Sequence, residues 1–167
     1  MIEAILLIMA TPKKGRKPSQ VKKKSQTSFS SEANPSEVTD SYWIFATRQK
    51  GSSYPESNEN SGKWLLFVSI DNIDTVWKKI KLATENGLLG ESSKVATAKP
   101  SPLATKDNLK VICIYTYDYT DKEDVMRIRE ELRKIGVTNK IPYKTNNATR
   151  QGLYEIKGNA RISAYYE

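Results

Sequence analysis

The residues able to do chemistry in this chain are defined first by what is missing. It has no histidine, so imidazole metal sites, Ser-His and Cys-His nucleophiles and histidine acids are excluded. Its single cysteine, Cys113, cannot form an internal disulfide and lies in an apolar run, where a free thiol reads as a small core residue. Asp118, Asp121 and Asp124 are spaced like metal ligands. Capping of a helix that starts beside them explains Asp121 and Asp124 more simply. No phosphate loop, dinucleotide glycine motif or metal-ligand cluster occurs, and no cofactor is expected. That leaves lysine, arginine and tyrosine as the working chemistry. A formal charge of +8 points the same way, toward nucleotides, RNA, phosphoprotein or another acidic partner.

The elements that must position these groups are led by Leu109–Gly136. Leu109, Val111, Cys113, Tyr115 and Tyr117 alternate with Lys110, Ile112, Ile114 and Thr116, which is strand periodicity. Both sides are apolar in the middle, so a central strand with cover on both sides is expected. Thr120-x-x-Glu123 has capping-box spacing. Val125, Ile128, Leu132 and Ile135 then form one helical stripe that Gly136 ends. Upstream, Tyr42–Ala46 and Lys63–Ser69 read as strands. Asp71 and Asn72 cap a helix with Ile73, Val76, Trp77, Ile80 and Ala83 on one face, stopped by Asn86-Gly87, and Ser93–Ala98 is a third strand. After Gly136, Pro142–Thr145, Gly152–Ile156 and Arg161–Tyr166 have strand character. The order and short connections predict an α+β fold, a mainly antiparallel sheet backed by helices on one face.

Residues 1–40 differ in composition. The apolar MIEAILLI is too short to span a bilayer and lacks the positive leader of a secretory signal, so no membrane partner is expected, and Met9 is a second possible start. Thr11–Asp40 is rich in Ser, Thr, Pro, Gln and Lys and is expected to be disordered, leaving 41–167 as one domain. Lys13, Lys14, Arg16, Lys17, Lys22, Lys23 and Lys24 form a basic block, readable as a nuclear-localisation or nucleic-acid patch or as a solubilising tail. A cytoplasmic or nuclear, monomeric protein is the expectation.

Four blocks, SYWIFATRQKGSSYPESNENSGKWLLFV, WKKIKLATENGLLGESSKVATAK, VICIYTYDYTDKEDVMRIREELRKIGV and IPYKTNNATRQGLY, resemble the basophilic leukemia-expressed (Bles) protein family, a family also named as a phosphothreonine lyase domain. The resemblance spans about Tyr42 to Tyr166 and implies a curved antiparallel sheet backed by helices, like the mRNA cap-binding translation initiation factor. A cap site needs two stacking rings. Tyr54 stands in the loop of one, but Pro100–Asn108, where the other would lie, has no aromatic residue. A lyase would need a base, an acid and cationic clamps. Lys63, Lys94 and Lys144 are the candidates for catalysis, a lysine serving as base if burial lowers its pKa. The known lyases use a histidine as acid; Tyr54, Tyr117 or Tyr143 would have to substitute here. More broadly, Tyr54, Lys63, Lys94, Lys99, Tyr117, Tyr143, Lys144 and Arg150 are candidate ligand-binding residues, with the concave sheet face presenting most of them to a nucleotide, an RNA end or a phosphopeptide. A structural protein-interaction module is the remaining alternative.

Overall fold

A computed structural model describes residues 33–102, 108–152 and 163–167. Its elements are β1 (Trp43–Thr47), β2 (Gly62–Ser69), α1 (Ile73–Glu85), β3 (Ser92–Ala96), β4 (Leu109–Thr116), α2 (Lys122–Lys134), β5 (Pro142–Thr145), α3 (Asn146–Arg150) and β6 (Tyr165–Tyr166). The strands form one sheet in the order β1-β3-β4-β2-β5-β6, with every pairing antiparallel. The expected α+β class and helix-backed antiparallel sheet are therefore present, and β4 is central as expected, but α1 and α2 cover only the Ile112 and Ile114 side of it rather than both faces. Among the described residues no helix is long and apolar enough to cross a membrane.

The alternation along each strand separates two faces. Ile44, Trp64, Val95, Ile112, Ile114 and Tyr143 point to the helices and are buried. They meet Ile73, Trp77 and Ile80 of α1 and Val125, Ile128 and Leu132 of α2, the stripes read from helical spacing. Each fully buried aliphatic side chain contributes about 1.5–3 kcal/mol. Trp64 lies at the centre. Its indole N–H donates to Val125 O at 3.2 Å, and its ring meets Tyr143 edge-to-face at 5.2 Å. Gly62 makes room for this arrangement: a Cβ there would lie 2.3 Å from the Tyr143 hydroxyl.

Several local expectations are corrected. Asp121, not Thr120, caps α2, accepting from the Asp124 N–H at 3.1 Å, while the Thr120 hydroxyl donates to Asp118. Asn72 occupies the N-cap of α1, but its side chain bonds Ser69 and caps no helical N–H. Thr145 caps a third helix, α3, that apolar periodicity could not reveal because none of its residues is buried. The Gly152–Ile156 strand falls mostly outside the described residues, and only Tyr165–Tyr166 of the last one is a described strand. Residues 33–40 are not a free tail. Ser36 donates from its N–H and hydroxyl to the Asp74 carboxylate, and Pro35 O accepts from Ala98 N at 2.8 Å. The basic block lies outside the described residues.

Arg129, on the buried side of α2, is fully enclosed and donates to three carbonyls: Val137 O at 2.8 Å, Asn139 O at 2.7 Å and Glu167 O at 3.1 Å. It thereby ties α2 to the loop before β5 and to Glu167. Gly136, at φ 104°, begins that loop in a conformation side chains rarely adopt. Arg129→Met keeps much of the apolar stem but takes the donor from Val137 O and Asn139 O, while Glu167 O keeps the Ile141 N–H. The expected loss is about 2 kcal/mol or more in urea denaturation, since each buried unsatisfied group costs about 1–3 kcal/mol. A loss under about 1 kcal/mol would show that other donors or water can replace the guanidinium.

Candidate functional site

The sheet face opposite α1 and α2 is a grid set by strand register. Phe45, Lys94, Cys113 and Leu65 lie side by side across β1, β3, β4 and β2. One step along the strands, Tyr115, Lys63 and Lys144 form the neighbouring row across β4, β2 and β5. On the other side Trp43 is paired with Ala96, and Val111 with Phe67. None of the six described strands contains an aspartate or glutamate. The acids lie elsewhere, many of them on the helices, as Asp74, Glu85, Glu123, Asp124, Glu130 and Glu131 do.

Three of the expected cations come together on this open face. Lys63 and Lys144 are direct cross-strand partners, each only 8% exposed. Lys63 Nζ donates to Asn146 Oδ1 at 2.9 Å and Thr149 Oγ1 at 3.2 Å, both on α3, and lies 5.4 Å from the Tyr115 ring centre. Lys94 approaches the same ring from the other side at 5.8 Å and sits 4.0 Å over Trp43. Burial pushes the Lys63 ammonium below its ordinary value, helped by the charges of Lys94 and Lys144. Cys113 is buried as expected, but on this face rather than among the helices. Burial raises its thiol pKa, and Lys94 and Lys63 offset part of the rise. Burial likewise raises that of Tyr115.

The other candidates go elsewhere. Tyr143, expected on the ligand face, is fully buried on the helix side, its hydroxyl bonded to Thr116 Oγ1 at 2.6 Å. Adjacent strand residues point to opposite faces, so Tyr143 and Lys144 cannot share a site. Tyr54 is not a free stacking ring. Its hydroxyl donates to Asp124, its ring meets Tyr117 edge-to-face at 5.6 Å, and Arg48 lies 5.0 Å over it. Tyr117 donates to Asp121, which pushes its hydroxyl up to about 12. Lys99 sits over Tyr42 at 4.3 Å and donates to Asp40 O at 2.9 Å, beyond β3. Arg150 is exposed at the end of α3, the helix that holds Lys63.

The acidic trio is structural. Asp118 accepts from Thr120 and Asn58, which hold its carboxyl below the usual range. Asp121 caps α2, and Asp124 pairs with Arg127 at 2.7 Å. No group of metal-ligating side chains occurs among the described residues. Sequence reading missed Trp43 as a partner of Lys94, and it missed Tyr115, Asn146 and Thr149. For Tyr115 a signal existed, since it shares strand parity with Cys113. For the α3 pair there was none, because their role depends on a helix folding back over Lys63.

Among solved structures, schistosome eIF4E complexed with m7GpppG and 4E-BP aligns at a TM-score of 0.49 with 13% identity, over 66% of this chain and 60% of that one. The schistosome eIF4E complex with m7GpppA and 4E-BP aligns at 0.49 with 12% identity, over 66% and 61%. The chain thus spans about three fifths of the length of the solved proteins it matches. The family model described as basophilic leukemia-expressed protein Bles03 matches residues 16–150, all of β1 to α3 included, and the chain belongs to that family.

Proposed function

We propose that the open face binds a phosphate-bearing ligand, with Lys63, Lys94 and Lys144 as its cationic floor and Arg150 at its rim. The observation that carries this reading is the convergence of Lys63 and Lys94 on the Tyr115 ring, at 5.4 Å and 5.8 Å from its centre, with Lys144 directly across from Lys63. Lys63 feels the charges of both other lysines. An anion held beside Lys63 and Lys94 would gain charge-assisted bonds, which are strongest where water is excluded. Asn146 and Thr149 fix the Lys63 head, so little side-chain entropy remains to be lost on binding.

A second reading rests on the lowered pKa of Lys63. In a β-elimination, a neutral Lys63 amine would take the α-proton of a phosphothreonine. The electron pair would form the Cα–Cβ double bond, the Cβ–O bond would break, and phosphate would leave toward Lys94 and Lys144. The lowered pKa favours the base role. The acid role has no comparable candidate, because Tyr115 is shifted away from proton donation at neutral pH.

Pyrophosphate, ATP and a phosphothreonine peptide each test the site by thermal shift. Expected is a rise in Tm with at least one, worth about 2.7 kcal/mol at about 100 times its Kd, and its loss in Lys63→Met and Lys94→Met. Stabilisation that survives both changes, or none with any ligand, sinks the reading and leaves an interaction module. Mass analysis of the recovered peptide decides the second reading: loss of phosphoric acid establishes the lyase, and intact peptide removes it. Arg150→Lys should weaken binding by about 1–3 kcal/mol if its guanidinium makes a paired contact, with Tm of the free protein unchanged.

Titration gives an independent check. Because the Lys63 pKa is below 10.5 in the fold, the unfolded chain binds more protons than the folded one on the acid side of that value. Stability carried by this group therefore rises with pH there. In urea denaturation from about pH 7 to about pH 10, the stability difference between wild type and Lys63→Met should move in favour of wild type. A difference that stays flat would mean Lys63 is as solvated folded as unfolded.

A further inference from the structure

We infer that the ligand of the open face is a short single strand of nucleic acid, lying diagonally from Phe45 to Phe67 with its bases on those two rings. This rests on the phosphate-binding reading above and names the ligand class. Phe45 and Phe67 are 63% and 55% exposed, unusual for phenylalanines in paired strands, and register puts them on the same face as the three lysines. Between them lie Lys94, Ala96, Val111 and Cys113: the last three are short side chains that leave a shallow floor, and Lys94 borders it at the Phe45 end. Three strand spacings across and two residues along place the phenylalanines roughly 16 Å apart. That distance suits two bases of one strand, not the two faces of a single base, which a mononucleotide would need.

Charge completes the match. On the Tyr115 side of that diagonal stand Lys94 and Lys63, so bases on the rings leave the backbone toward the ammonium groups. Every base has a π-face and every nucleotide a phosphate, so exposed rings beside cations bind single strands with little sequence preference. A phosphopeptide would use the lysines but has no need of two separated rings. A duplex would bury its π-faces and engage only the charges. No described strand carries an acidic residue, so none of their side chains repels a polyanion.

The test uses the full chain, with its basic block, and a labelled RNA of about ten nucleotides read by fluorescence anisotropy. Phe45→Ala and Phe67→Ala remove exposed rings, so Tm should hold, and each should weaken binding about tenfold. An abasic strand of the same length carries the same phosphates without bases and should bind about as weakly as the double variant. If abasic and normal strands bind alike, or both phenylalanine variants bind like wild type, the inference is overturned, and charge alone, including the basic block, holds the strand. If pyrophosphate or the phosphothreonine peptide stabilises the protein through Lys63 while RNA binding ignores Phe45 and Phe67, the phosphate site stands and the nucleic-acid assignment fails. If RNA binding needs both rings but is unchanged in Lys63→Met and Lys94→Met, the stacking surface stands and the lysine reading fails.

Discussion

Two cross-strand pairs, Trp64 with Tyr143 and Lys63 with Lys144, govern both halves of this protein. They are consecutive in sequence on β2 and again on β5, so the two-residue period of a strand sends one pair down and the other up. Downward, the aromatic pair fills the space under α2 and is anchored by Trp64 to Val125 O and by Tyr143 to Thr116. Upward, the lysine pair makes the cationic centre of the open face. A one-residue slip of β5 against β2 would drive Lys144 toward the apolar layer and expose Tyr143. The register that builds the core is thus also the register that pairs the lysines on the open face, and neither can be adjusted alone.

Electrostatics follows the same division. Acidic side chains are concentrated on the helices and their caps, where Asp121, Asp124, Glu130 and Glu131 make local bonds to α2 or its arginines and lysines. The described strands carry only lysine charge. Two of those ammonium groups lie over aromatic rings, Lys94 on Trp43 and Lys63 beside Tyr115, where the ring faces give partial compensation. Compensation by π-faces and by the Asn146 and Thr149 oxygens is weaker than pairing with a carboxylate.

Function and stability divide the remaining polar groups in a way residue type does not announce. Arg129 looks in sequence like any other helical arginine, yet it is the most enclosed cation described and serves three backbone carbonyls. Tyr54, Tyr117 and Asp118 look like site residues and instead fasten the 48–60 loop against the start of α2, through Tyr54 to Asp124 and Asn58 to Asp118. A hydroxyl already donating to a carboxylate is a poor proton donor, so this cluster steadies the loop rather than joining the chemistry.

Sequence alone determined what depends on local periodicity. The central strand at 109–116, the stripes of α1 and α2, the glycine stop at Gly136 and the helix-backed antiparallel class all follow from spacings within one element. The strand positions of Lys63, Lys94 and Lys144 were legible in the same way, because each stands in a strand-like run. Tertiary structure decided which residues face each other. Register joined Lys63 to Lys144 and separated Tyr143 from both, and a short helix with no apolar face brought Asn146 and Thr149 over Lys63. Residues 33–40 were misread for the same reason: polar composition argues for disorder, whereas the carboxylate of Asp74 and a backbone bond to Ala98 hold them in place. Periodicity is a property of neighbours along the chain; pairing across strands is fixed by packing between segments up to some eighty residues apart, as Lys63 and Lys144 are.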